Sequence, residues 1–153
     1  MKNAFFKSMV LGLGLMLLSF SRDEIQTIYW NTDFERAKSS ATSSEQIILM
    51  SFQGSDWCAN CKRLEHTLFE NSDFIDFYSG NLTMLKVDFP MKKENKLSKE
   101  QVKHNDALAE KFNPDGSFPK VIILNAKGEK LGEMTYPSKT VEEYITSIKT
   151  FIE

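Results

Sequence analysis

The spacing of hydrophobic residues along the chain changes repeatedly between the period of a strand and that of a helix. Two nearly continuous apolar runs, at 46–52 and 82–89, are typical of central strands that helices cover on both faces. A shorter run at 121–124 is followed by the turn signal Ala126-Lys127-Gly128, which predicts a hairpin. The predicted strands are 24–30 (a strand or an extended lead-in), 46–52, 82–89, 121–124 and 130–136.

Helical patterns separate these strands. The first, with Asn31 or Thr32 as its cap, is expected to end at the serine-rich stretch 39–44, which is predicted to be a loop. The second is expected to run to about Phe69. The remaining predicted caps are Asn71 or Ser72, Ser98 with Gln101, and Thr140 with Glu143. The order βαβαβ, then α, ββ and α, predicts an α/β fold with a central mixed β-sheet and helices on both faces.

The first 21 residues do not fit this alternation. Lys2 and Lys7 flank a charge-free apolar run at 9–20, and Ser19-Phe20-Ser21 supplies small residues for a cleavage site. This pattern predicts a signal peptide at 1–21 and one domain at 22–153, in the periplasm or another secreted compartment. The alternative is an uncleaved membrane anchor, although the run is shorter than the roughly 20 apolar residues that span a bilayer.

The net charge and the length of the chain reduce the number of possible functions. The net charge is −2, so there is no basic footprint for nucleic acid. A chain of 153 residues can bury a sizeable core without disulfide staples, which leaves both cysteines free for chemistry. The lysine-rich segment 91–103 is predicted to be a solvated loop leading into a helix, with docking of an acidic partner as the alternative.

Those two cysteines stand in the sequence Gly54-Ser55-Asp56-Trp57-Cys58-Ala59-Asn60-Cys61, between a predicted strand and a predicted helix. At the start of a helix, unpaired N–H groups and the helix dipole favour an anion, so the pKa of Cys58 is expected to lie below the ~8.5 of free cysteine. Cys61, one turn along, could close a disulfide onto Cys58. Redox chemistry is the favoured hypothesis; a structural disulfide, a zinc half-site and two buried free thiols are the alternatives.

Trp57-Cys58-x-x-Cys61-Lys62 after an apolar strand resembles the active site of the thioredoxin family. The distant Ser117-Phe118-Pro119-Lys120 followed by a strand resembles the cis-proline element of that family. The resemblance covers most of the chain after residue 22 and is strongest to secreted thioredoxin-like proteins with Gly-Ser-Asp-Trp-Cys before the second cysteine. It implies a thioredoxin-like fold and a thiol–disulfide oxidoreductase.

The resemblance also implies roles for individual residues. Cys58 would attack a partner disulfide and Cys61 would resolve the mixed disulfide. Trp57 would be a contact surface, with core filling as its alternative, and a cis Pro119 would expose the backbone of Phe118 to a bound peptide. The expected partners are protein thiols or disulfides and a membrane electron donor, and the protein is expected to be a monomer without a cofactor. The alternative function is a non-catalytic copper(I) or thioredoxin-like binding protein, with Cys58, Cys61 and His66 as copper ligands.

Two departures from the family pattern affect the mechanism. Many thioredoxins carry a buried aspartate that accepts the proton of the second cysteine, and that position is Ser51 here. The lysine partner of that aspartate is expected near Met84, which cannot ionise. Glu65 and His66 are the candidate replacements by sequence proximity, with an exposed helix surface as the alternative for both, and resolution by Cys61 is expected to be slow. The dipeptide Ala59-Asn60 leaves the direction of electron transfer open.

Overall fold

The computed structural model describes residues 26–134 and 140–152. Within those residues, five strands form one sheet and five α-helices pack on its faces. The strands are β1 (Trp30–Asn31), β2 (Ile47–Gln53), β3 (Leu82–Asp88), β4 (Lys120–Leu124) and β5 (Lys130–Met134). The helices are α1 (Phe34–Ser44), α2 (Ala59–Leu64), α3 (Ser72–Asn81), α4 (Lys99–Phe112) and α5 (Val141–Lys149). A π-helical turn, Glu65–Phe69, continues α2, and a 3-10 turn, Lys93–Asn95, precedes α4.

The sheet has the strand order β1–β3–β2–β4–β5. β3 pairs in parallel with both β1 and β2, whereas β4 pairs antiparallel with both β2 and β5. The predicted mixed sheet with helices on both faces is therefore confirmed. The strand β2 lies at the centre, and its C-terminal end leads directly into the two cysteines.

Alternate residues of β2 belong to two separate hydrophobic cores. Leu49 packs into a core with residues of α2, α3 and α5, while Ile48, Met50 and Phe52 pack into a core with residues of α1 and α4. This explains why the run is apolar on both faces. Ser51 shares the face of Leu49, so it points to the side of the sheet that α2 covers.

The serine-rich stretch 39–44 is helical, so its prediction as a loop is wrong. Ala41 on this stretch is fully buried against the sheet, and the Ser43 hydroxyl donates to the Ser39 carbonyl at 2.9 Å. Such a bond along the helix satisfies the hydroxyl, and the buried alanine stabilises the turn. The cap also differs from both predicted residues, Asn31 and Thr32. It is Asp33, whose carboxylate accepts from the Arg36 N–H at 2.7 Å.

The sheet begins with a short strand. Within the described part of the predicted stretch 24–30, residues 26–29 precede the strand, which is Trp30–Asn31 and pairs with β3. The predicted signal peptide at 1–21 and the last part of the predicted strand 130–136 lie outside the described residues. Among residues 26–134 and 140–152, no helix is long and apolar enough to cross a membrane.

Candidate functional site

The two cysteines lie where β2 gives way to α2. They form a disulfide, with their Cα atoms 5.2 Å apart. Cys58 is the N-cap of α2, and its sulfur accepts a hydrogen bond from the Cys61 N–H at 3.1 Å. Cys58 is 6% exposed and Cys61 2%, and the sulfur of Cys61 also faces the Gly54 N–H at 3.5 Å. The backbone donor on the sulfur of Cys58 is the group that would stabilise a thiolate in the reduced protein.

The turn before the cysteines is attached to the end of β3. Ser55 donates to the Asp88 carboxylate twice, from its N–H at 2.9 Å and from its hydroxyl at 2.6 Å. Gly54 leaves room for the Trp57 ring, because a Cβ at this position would lie 2.3 Å from that ring. Ser55 therefore attaches the turn to β3, and Gly54 allows the Trp57 ring to pack against the turn. Neither role can be predicted from the adjacent residues in the sequence.

Asp56 binds the lysine-rich loop that follows β3. Its carboxylate accepts from the N–H groups of Met91 at 3.0 Å and Lys92 at 2.9 Å, and from the Asn95 side-chain amide at 3.0 Å. The hydrogen bond from the Met91 N–H, followed by the one from Asn95, lowers the pKa of Asp56 to about 2. The carboxylate is ionised at neutral pH and holds this loop beside Trp57.

Trp57 is 44% exposed and lies next to the disulfide. Its indole N–H donates to the Phe89 carbonyl at 2.7 Å, and its ring contacts that of Phe118 edge to face at 5.4 Å between centroids. A side chain with this exposure does not fill the core, so the contact-surface interpretation agrees with the geometry better.

Pro119 is preceded by a cis peptide bond, the isomer that the resemblance implies. The loop before it is held by Asn113, whose amide donates to the Ser117 carbonyl at 2.9 Å and accepts from the Ser117 N–H at 3.1 Å. The Lys120 ammonium, followed by the Ser117 hydroxyl, lowers the pKa of Asp115 to about 2. Since Lys120 pairs with Phe52 in the sheet, Phe118 and Pro119 lie beside the end of β2, where the turn to the cysteines begins.

A polar cluster lies on the inner side of Cys61. The Gln53 side-chain amide donates to the Ser51 hydroxyl at 3.1 Å and to the Glu65 carboxylate at 3.3 Å. The other Glu65 oxygen pairs with the Lys86 ammonium at 3.4 Å. A cavity of about 230 Å³ is lined by Gln53, Glu65, Lys86 and Cys61 itself, whereas Ser51 lies outside its lining.

The expectation that the lysine position falls near Met84 is wrong. Ser51 pairs with Lys86 in the register of β2 and β3, so a lysine does lie beside the position of the missing aspartate. Met84 pairs with Leu49 instead and is fully buried in the core. The carboxylate that Lys86 binds comes from Glu65, one helical turn after Cys61, and not from the strand.

His66 points away from the cysteines. Its Nδ1 lies 2.6 Å from a Glu70 carboxylate oxygen, and both side chains are largely exposed. Of the two replacements proposed from sequence proximity, Glu65 shares a cavity with Cys61 and His66 has the surface position. Within the described residues, no group of three or more His, Cys, Asp or Glu side chains is arranged to hold a metal ion.

Comparison with known proteins is consistent with this geometry. The family model of a thioredoxin-like domain matches residues 34–148. The disulfide bond reductase DsbH of Chlamydia pneumoniae is 29% identical over 126 residues, which are 82% of this chain and 74% of that protein.

Solved structures of other proteins have the same fold. A structure of DsbH oxidoreductase superposes with a TM-score of 0.73 at 26% identity, covering 88% of this chain and 92% of the other. A thioredoxin from Thermus thermophilus superposes with a TM-score of 0.60 at 12% identity, covering 81% of this chain and 86% of the other. At that identity the second likeness concerns the fold alone.

Proposed function

This chain belongs to the thioredoxin-like family and is a thiol–disulfide oxidoreductase, and from that premise we propose that it reduces disulfides of partner proteins outside the cytoplasm. The observation that carries the proposal is the Cys58–Cys61 disulfide at the start of α2. It directly follows the exposed Trp57, whose ring contacts Phe118 of the cis Phe118–Pro119 bond. The relative named as a disulfide bond reductase supports the reducing direction.

The reaction has two exchange steps. The Cys58 thiolate attacks one sulfur of the partner disulfide, forms a mixed disulfide and releases the first partner thiolate. Cys61 then loses its proton and attacks the sulfur of Cys58, which releases the second partner thiolate. Two electrons pass to the partner, and the protein is left with the Cys58–Cys61 disulfide seen in the structure.

Each turnover therefore needs an external supply of two electrons. The domain carries both cysteines on one chain, so a monomer suffices for the exchange. Outside the cytoplasm, the class of donor that fits is a membrane protein with a reduced dithiol. Such a protein can carry electrons across the bilayer and reduce the Cys58–Cys61 disulfide by the same thiol–disulfide exchange.

The second step requires a base near Cys61. Glu65 takes this role in our proposal: its carboxylate lines the same cavity as Cys61 and is held by Gln53 and Lys86. A cavity of about 230 Å³ has room for water, which could carry the proton from the thiol to the carboxylate. Ser51, at the position of the family's aspartate, completes the cluster as an acceptor of the Gln53 amide and not as a base.

The direction of electron transfer is tested by the reduction potential of the disulfide. We expect a potential below about −200 mV, close to the roughly −270 mV of thioredoxin and far from the roughly −120 mV of the strongest oxidants with this fold. The protein would be equilibrated in glutathione buffers of graded ratio, and the reduced fraction counted by alkylation and mass spectrometry. A potential more positive than −200 mV would contradict the role as a reductant.

Export is tested at the N-terminus. The pattern of Lys2, Lys7 and the apolar run at 9–20 supports cleavage after Ser21, so the mature protein is expected to begin at Arg22. The measurement is the N-terminal sequence and intact mass of the protein recovered from the periplasmic or secreted fraction. Recovery of a chain that retains Met1, in the membrane fraction, would instead support an uncleaved anchor.

A further inference from the structure

An open groove of about 600 Å³ lies beside the redox centre, between the end of β3 and α4. Its floor is formed by the rings of Trp57, Phe89 and Phe118, which contact one another through Phe118 at 5.4 and 5.6 Å between centroids. Met91 and Val102 add apolar surface at its sides. We call it the lysine groove, because Lys92, Lys93 and Lys96 line it as well.

The apolar side chains of the lysine groove are unusually exposed. Of the six large apolar side chains that are exposed in the described residues, Trp57, Met91 and Val102 line this groove, and Met91 is 76% exposed. Exposed apolar residues that gather in one concave surface, with polar residues around them, mark a binding site more often than scattered ones do.

The three lysines give the groove a positive charge. None of the ion pairs within the described residues involves Lys92, Lys93 or Lys96, although Lys92 lies near enough to Asp56 to help lower its pKa. The acidic residue that lines the groove is Asp88, whose carboxylate already accepts three hydrogen bonds, two from Ser55 and one from the Phe89 N–H. These neutral donors leave Asp88 ionised, but the lining still carries three ammonium groups against this one carboxylate. The charge of the lining is therefore positive, with the ionised Asp56 bound to the backbone of the same loop, on a chain whose net charge is −2.

The groove is continuous with the residues that would meet a substrate. Trp57 directly precedes Cys58, and Phe118 directly precedes the cis Pro119, so a segment bound at Cys58 would have its neighbouring residues in reach of the groove. Asp56 fixes the loop that carries the lysines through three hydrogen bonds, which keeps the charges beside the redox centre.

We propose that the lysine groove binds a segment of the partner protein that carries a large apolar side chain and carboxylates within a few residues of its reacting cysteine. The aromatic floor takes the apolar side chain and the three ammonium groups take the carboxylates. The groove thus selects acidic, partly unfolded segments among the disulfides that Cys58 could attack. This inference names the substrate class of the redox site and rests on the proposed function.

The test uses three short peptides that differ only in charge. Each contains a cysteine joined to 2-mercaptoethanol, a phenylalanine and a leucine nearby, and two flanking positions occupied by Asp, Lys or Ser. The full protein is reduced beforehand with dithiothreitol, which supplies the two electrons. Attack by Cys58 releases either the peptide thiol or mercaptoethanol, and resolution by Cys61 releases the other as Cys58–Cys61 forms.

The readout is the ratio of the single-turnover second-order rate constants for the acidic and the basic peptide within one variant. We expect a ratio of about ten for the natural protein at low salt, which falls towards one at high salt. Lys92→Glu, Lys93→Glu and Lys96→Glu together should invert the ratio. The matched control replaces three exposed lysines outside the groove, Lys111→Glu, Lys127→Glu and Lys149→Glu, and should keep the ratio of the natural protein.

Binding is measured separately, so that a failure of the redox reaction does not hide the result. Versions of the peptides with Ser in place of Cys, labelled for fluorescence anisotropy, should bind with the same order of preference. If the protein reduces all three peptides at equal rates, or binds them equally, the lysine groove is not a selective site. If it reduces neither the peptides nor hydroxyethyl disulfide, the proposed function fails while the binding measurement still decides the groove.

A lipid surface is the competing source of negative charge. The same two triple variants would be mixed with vesicles of phosphatidylcholine, with and without phosphatidylserine. A loss of vesicle binding specific to the groove variant, together with equal peptide rates, would assign the lysines to a membrane and overturn the proposal. Preference for the acidic peptide without binding to phosphatidylserine would support it.

Discussion

Cys61→Ser is expected to hold partner proteins in a covalent complex through Cys58, whereas Cys58→Ser is expected to abolish both the complex and turnover. The Cys58 sulfur accepts the Cys61 N–H at 3.1 Å at the start of α2, so this backbone donor stabilises the attacking thiolate. Serine at position 61 cannot attack the mixed disulfide, and the reaction stops after its first step. Turnover should fall to the uncatalysed rate in both variants, by different causes.

The complexes would be isolated after acid quenching and separated without reductant, and reduction should release them. The double variant Cys58→Ser with Cys61→Ser is the matched control and should trap nothing. Alkylation rates of the two thiols over a pH series give their order directly, with Cys58 expected to react faster. Faster alkylation of Cys61, or reductase activity in Cys58→Ser, would show that the assigned order of the cysteines is wrong.

The features that the sequence predicts well depend on local pattern. The apolar run that became β2 and the capping pair Thr140 and Glu143 are both encoded within a few residues, and both are found in the structure. The sequence does not predict the serine-rich end of α1, because serine by itself favours loops. Burial of Ala41 against the sheet outweighs that preference in the structure.

The site shows where local pattern stops being informative. Ser55 and Asp88, which bind each other, are 33 positions apart, and Asp56 binds residues 35 to 39 positions away. Sequence spacing cannot place such partners together without the register of β2 on β3. For the same reason the sequence alone points to Met84 as the neighbour of Ser51, whereas the register places Lys86 there.

Glu65→Gln is expected to slow the resolution step by roughly 10- to 100-fold at pH 7. This is at or below the lower end of the roughly 10²–10⁴-fold range of general base catalysis, because the proton passes through water. The first step, attack by Cys58, should keep its rate, because Glu65 lies in the cavity behind Cys61 and not at the start of α2. The mixed disulfide with a peptide should therefore accumulate in Glu65→Gln, as it would more fully in Cys61→Ser.

The measurement is a rapid-quench experiment that follows the mixed disulfide and the released peptide thiol separately between pH 6 and 9. The deficit of Glu65→Gln should shrink as the pH rises across this range, because a growing fraction of the Cys61 thiol then ionises without a base. Glu65→Asp should recover part of the rate, whereas a purely structural role would give a deficit independent of pH. Glu70→Gln removes an exposed carboxylate one turn further on and is the matched control, expected to resolve at the natural rate. Equal resolution rates for Glu65→Gln and the natural protein would leave water alone as the proton acceptor of Cys61 and exclude Glu65 from the mechanism.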